Sequence, residues 1–131
     1  MSLQFSTTDR TAFAAQLVAA AASGTLTLFS GAEPANCAAS DPSGPLATGT
    51  LPNPALAASG GVASMVGTWT ATGTASGNAA SFRLYDSGAV CRIQGSVTAT
   101  GGGGDMTLNN VSIASSQAVS IATFQITMGN A

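Results

Sequence analysis

Few residues in this chain could do chemistry. Its 131 residues include no histidine and no lysine, and only 6% of them are charged. Without histidine the chain lacks the usual proton shuttle near neutral pH, and without lysine it cannot form a Schiff base. The acidic residues Asp9, Glu33, Asp41, Asp86 and Asp105 are spaced neither as a calcium loop nor as a glycosidase pair. The sequence therefore predicts no enzyme activity, no cofactor and no metal site.

Two further motifs have ordinary structural interpretations. The run Gly101–Gly104 lacks the GK[ST] ending of a phosphate-binding loop and is expected to be a hairpin linker. Cys37 and Cys91 could form one disulfide or remain two small buried thiols. For a chain assembled in a cytoplasm, the interpretation as free thiols is favoured.

The scarcity of charge bears on possible partners. A typical soluble domain has about 25% charged residues, so this surface is either covered by neighbouring subunits or built from Ser, Thr, Gly and Asn. Three arginines cannot form the positively charged footprint of a nucleic-acid binder. The apolar stretch Ala12–Ala22 is too short to span a bilayer. We expect no nucleic acid, membrane or small-molecule substrate, and a structural role within an assembly.

The N-terminal region is typical of one helix, over residues 6–22. Ser6 followed three residues later by Asp9 resembles a capping box, and Ser23-Gly24 favours termination there. An apolar stripe is expected to face the core; it comprises Phe13, Leu17, Val18 and Ala21.

The rest of the chain reads as short strands with frequent turn signals, and residues 1–131 form one domain. This pattern predicts a mainly β fold, an antiparallel β-sandwich of jelly-roll or immunoglobulin-like type with the one N-terminal helix. A bulge is expected near Ala122-Thr123, where the apolar alternation changes parity. The predicted core comprises Leu26, Leu28, Trp69, Phe82, Leu84, Cys91, Ile93, Phe124 and Ile126.

The turn Asp86-Ser87-Gly88 predicts a hairpin. With a two-residue turn, Arg83 would face Arg92 directly, which is unfavourable for like charges. Three explanations stay open: the register differs, each arginine finds a local acid, or both meet a carboxylate on a partner subunit, where arginine is enriched.

Residues 32–59 contain all five prolines and are expected to form an extended loop or arm, with a short strand at Leu46–Leu51. Long loops in compact domains are usually functional or partner-bound. A flexible surface loop is the alternative. An arm of this kind would lie along a partner. The candidate interface residues are Arg83, Arg92, Glu33, Pro34, Pro42 and Pro45.

Several segments together resemble a family of small structural proteins of tailed bacteriophages. They are Leu26–Ala35, Phe82–Ser87, Gln94–Val97, and the tail from Asp105 through Leu108 to Ala131. The resemblance implies a virion component assembled in the host cytoplasm, foremost a capsid decoration or cement protein that binds the major capsid protein and copies of itself. A minor tail, collar or connector protein is the first alternative. A carbohydrate-binding or adhesin module is the second, although it would need exposed aromatic residues.

Overall fold

The computed structural model describes residues 4–128, and within that range the protein is mainly β with one helix. The last three residues of the C-terminal segment that begins at Asp105, residues 129–131, lie outside the described residues. The elements in chain order are α1 Thr7–Ala21, β1 Thr25–Phe29, β2 Pro45–Thr50, β3 Leu56–Ser59, β4 Val62–Met65, β5 Thr70–Gly73, β6 Gly77–Asn78, β7 Ser81–Tyr85, β8 Cys91–Ala99, β9 Met106–Leu108, β10 Ser112–Ile113 and β11 Ala118–Thr127.

Seven strands close into a barrel in the order β11-β5-β2-β1-β7-β8-β9, and β9 pairs again with β11. The hairpin β3–β4 extends the sheet from the end of β11, while β6 and β10 pair separately. The mainly β class and the N-terminal helix are confirmed. The strand pairing differs from the expected sandwich, because one continuous sheet curls until its ends meet.

Strand β11 makes this closure possible. It pairs with β5 through Ala118–Ser120, with β4 through Gln125–Thr127, and with β9 through the residues between. The β9 register shifts between Ile121 and Thr123, so the predicted bulge is confirmed. A bulge bends its strand and increases the local twist, which allows β11 to reach neighbours on both sides.

The barrel interior contains most of the predicted core. Trp69 is fully buried and its Nε1 donates to the carbonyl oxygen of Ala55 at 3.1 Å. The rings of Trp69 and Phe82 both lie against Phe124, with centroid distances of 5.4 and 5.3 Å. Leu26, Leu28 and Leu84 are also buried as expected, whereas Cys91, Ile93 and Ile126 are only partly buried.

The helix begins as its sequence predicts. Ser6 is the N-cap, and its Oγ accepts a hydrogen bond from the Asp9 backbone N–H at 3.0 Å while donating to the Asp9 carboxylate at 2.8 Å. One stripe residue was assigned wrongly: Phe13 is 46% exposed and its ring contacts Phe5. Ala14 is buried instead, so the buried face of α1 is displaced by one residue from the predicted stripe. This face packs on the β3–β4 hairpin.

Two other expectations need correction. Within the segment 32–59, β2 corresponds to the short strand expected at Leu46–Leu51, but β3 was not expected and interrupts the predicted arm. The run Gly101–Gly104 does not link a hairpin, because β8 and β9 are parallel. The chain must return within a short crossover, and Gly101 and Gly103 adopt the positive φ angles of 88° and 84° that glycine tolerates best.

Candidate functional site

The residues between β1 and β2, 30–44, fold back over the outside of the barrel; we call them the clamped loop. Two backbone hydrogen bonds close its base, from Ser30 N–H to Gly44 O at 2.9 Å and from Gly31 N–H to Ser43 O at 3.0 Å. The loop covers β7, whose residues Ser81–Leu84 are buried on both faces of the strand. A barrel strand normally shows one face to solvent, so the loop supplies an outer layer here.

Arg83 holds this loop from beneath. Its side chain is 2% exposed, and Nη1 donates to Asp41 Oδ1 at 2.9 Å. Nη2 donates to the carbonyl oxygen of Asn36 and to Gln94 Oε1, both at 3.1 Å. Gln94 in turn donates from Nε2 to Pro34 O at 2.7 Å. One guanidinium and one amide therefore fix the loop at three positions along its length.

Asp41 connects the buried arginine to the surface. Its side chain is 58% exposed, and the same Oδ1 that accepts from Arg83 accepts from the Tyr85 hydroxyl at 2.7 Å. Burial, followed by the hydrogen bond to Asp41, raises the pKa of Tyr85 to about 12. Tyr85 therefore stays a neutral hydrogen-bond donor at physiological pH.

A disulfide joins the loop to the start of β8. Cys37 and Cys91 are bonded, with their Cα atoms 5.5 Å apart, although 54 positions separate them in sequence. The prediction of free thiols was wrong, because it rested on the presumed compartment and not on geometry. Arg83 and Gln94, which are hydrogen-bonded to each other, and the disulfide therefore anchor the same loop.

The β7–β8 hairpin also differs from its predicted register. Arg83 lies opposite Gln94, and the register shifts between Leu84 and Tyr85. The turn is longer than two residues because the Asp86 carboxylate accepts from the backbone N–H groups of Gly88 and Val90, at 2.9 and 3.1 Å.

The two arginines of this hairpin are not neighbours. Arg92 donates to Asp86 Oδ2 at 3.1 Å, as Arg83 does to Asp41, so each finds an acid of its own chain. The hydrogen bond from the Val90 backbone, aided by Arg92, lowers the pKa of Asp86. Among the explanations left open by the sequence, the changed register and the local acids both apply.

Beside the clamped loop lies a surface groove of about 520 Å³. Its lining residues are Thr25, Thr27, Phe29, Asp41, Pro42, Pro45, Tyr85 and Ala89. Of the candidate interface residues, Pro42 and Pro45 line this groove. Glu33 is exposed on the loop, Pro34 is half-buried, and Arg83 lies beneath the loop. Arg92 lies at the start of β8, beside the hairpin turn.

Sequence reasoning missed Asp41, Gln94 and Tyr85. A charged residue in a strand that is buried on both faces, such as Arg83, needs a buried partner. Nothing in the sequence pattern indicates which acidic residue is that partner. Within residues 4–128, no three histidine, cysteine or acidic side chains converge to hold a metal ion. No helix in that range has the length and apolar character needed to cross a membrane.

Comparison with models of protein families, with curated proteins and with solved structures finds no match to this chain.

Proposed function

We propose that this protein is a capsid decoration protein of a tailed bacteriophage, which binds the head shell through the clamped loop and associates with copies of itself. The observation that carries the proposal is the loop itself: a long surface segment held rigid by a buried arginine, a glutamine and a disulfide. A loop fixed in advance loses less conformational entropy on binding.

The exposed part of the loop suits a partner surface with little charge. Residues 32–40 carry one charged side chain, Glu33, and the rest are small or uncharged. Arg83 and Asp41, which could have offered charge to a partner, are already paired within the chain. Contacts made by alanine, proline and backbone groups depend little on ionic strength, because salt screens charges and not apolar contacts.

The outer face of the helix provides a second small-residue surface. Ala12, Ala15 and Ala19 are exposed on α1, and alanine side chains allow a neighbouring backbone to approach closely. This surface supports self-association beside shell binding. A combined buried area above about 1,000 Å² per protomer would exceed what crystal-packing contacts usually reach.

Rebinding to particles that lack the protein tests the proposal. We expect saturable binding that persists when the salt concentration is raised from 0.1 to about 1 M, where the screening length falls to about 3 Å. Ala38→Arg, on the exposed loop, should abolish saturable binding. Ala114→Arg is the matched control, because it places the same side chain at an exposed position outside the loop.

Two outcomes would contradict the proposal. Equal rebinding by the Ala38 and Ala114 variants would remove the loop from the interface. Failure of the wild-type protein to bind shells, together with binding to tails or connectors, would assign it to the minor tail, collar or connector proteins.

A further inference from the structure

The groove beside Tyr85 has a polar floor on the barrel wall. Thr25, Thr27 and Phe29 alternate along β1 and line it together, since every second residue of a strand shares a face. Asp41 and Pro42 of the clamped loop line it as well, as does Tyr85 at the end of β7. The groove volume of about 520 Å³ falls in the range of small-ligand sites.

Several polar side-chain atoms that line this groove are free to form hydrogen bonds with a ligand. Within residues 4–128 the hydroxyls of Thr25 and Thr27 have no hydrogen-bond partner, and Asp41 uses Oδ1 for both Arg83 and Tyr85. Oδ2 of Asp41 is therefore available to accept. A hydroxyl both donates and accepts, whereas a carboxylate only accepts. This set matches a ligand that presents several hydroxyl groups.

The charge of the groove excludes ionic ligands. Asp41 is the carboxylate among the lining residues, and Arg83 neutralises it at 2.9 Å. An anion would meet no unpaired cation, and a cation would meet a carboxylate whose charge Arg83 already balances. Apolar groups complete the lining, because Pro42 and the Tyr85 ring, both partly exposed, can contact the C–H face of a sugar, while Phe29 lies buried behind them.

From these observations we infer that the groove binds a neutral sugar residue. Its walls are positioned before binding, because Arg83 fixes Asp41 and the disulfide Cys37–Cys91 fixes the loop. The inference goes beyond shell binding and stands without it, since it concerns the isolated protein.

The test is a titration of the isotopically labelled, disulfide-bonded protein, followed by amide chemical shifts. The probes are the methyl glycosides of glucose, galactose and mannose, and N-acetylglucosamine, each at concentrations suited to millimolar affinity. At least one should shift, in a saturable manner, the amide signals of residues 25–29, 41, 43–44 and 85–89; positions 42 and 45 are prolines and have no amide proton. Glucuronate and glucosamine, the charged comparators, should leave them unchanged.

Thr27→Val supplies the site-specific control, because valine keeps the shape and removes the hydroxyl. Loss of one hydrogen bond should weaken binding about three- to tenfold. Thr72→Val is the matched variant, because Thr72 is an exposed residue of β5 that does not line the groove. It should bind as the wild type does.

Several results would overturn the inference: no saturable shift with any neutral sugar, equal shifts with glucuronate, or equal weakening by the Thr27 and Thr72 substitutions. The wild-type titration decides independently of how either variant folds, and it requires no phage particle, so it is separable from the rebinding assay.

Discussion

The ion pair beneath the loop predicts an asymmetry between its two partners. Arg83 is 2% exposed and Asp41 is 58% exposed. Removing the acid leaves a cation where water cannot reach it. Removing the cation leaves a carboxylate that is largely hydrated. Asp41→Asn should therefore destabilise the fold more than Arg83→Met, although both break the same 2.9 Å contact.

The magnitudes follow from burial. Removing one partner of a fully buried pair costs about 3–5 kcal/mol; because Asp41 is half in water, we expect about 2–3 kcal/mol for Asp41→Asn. Arg83→Met fills the same space with an apolar chain and loses the hydrogen bonds to Asn36 and Gln94, which predicts about 1–2 kcal/mol. Arg92→Met, the control at the exposed pair with Asp86, should cost about 0–1 kcal/mol.

Urea unfolding of the disulfide-bonded protein, followed by Trp69 fluorescence, measures these differences. Adding Asp41→Asn to the Arg83→Met variant should cost little more, since no buried cation remains to be stranded. A larger cost for Arg83→Met than for Asp41→Asn would refute the reasoning, as would an Asp41→Asn cost no greater than that of Arg92→Met.

Three further predictions concern the same fold. Replacing Cys37 and Cys91 by serine should lower the free energy of unfolding by about 4 kcal/mol in the chain-entropy estimate, given their separation of 54 positions; an unchanged urea midpoint would contradict it. Leu84→Ala should cost about 2–5 kcal/mol, because Leu84 is 1% exposed; a cost below that of an exposed-site substitution would be the contrary result. The free energy of unfolding should fall as the pH rises from 10 to about 12, because the pKa of Tyr85 is raised from 10.0 to about 12 in the fold and the unfolded chain deprotonates first. In Tyr85→Phe the free energy of unfolding, measured by urea titration at each pH, should depend less on pH over that interval.

Local patterns in the sequence predicted the elements better than their arrangement. The alternation around Leu26 and Leu28, the serine cap of the helix and the bulge in β11 are all encoded within a few residues. Barrel closure depends instead on β9 meeting both β8 and β11. Pairings between distant strands leave no local signal, so a sandwich and a barrel share one hydrophobic pattern.

The candidate site was predicted in part for a similar reason. The sequence singled out Pro42 and Pro45, which line the groove. It did not indicate the contact that holds the clamped loop, because Asp41 and Arg83 are 42 positions apart in sequence. The predicted hairpin register was wrong by two residues at Arg83, because Asp86 accepts two backbone hydrogen bonds and widens the turn, and because a bulge between Leu84 and Tyr85 adds a second residue. Arg83 therefore lies opposite Gln94 and not opposite Arg92. Gln94 is the residue that also holds the clamped loop, through its hydrogen bond to Pro34 O.

Copy number in the virion tests the central proposal most directly. Purified particles, quantified by mass spectrometry against the major capsid protein, should contain the protein in a fixed ratio that amounts to hundreds of copies, as expected for a subunit that follows the symmetry of the shell. A count of about a dozen or fewer, which matches the symmetry of a tail or connector ring, would contradict the assignment to the head.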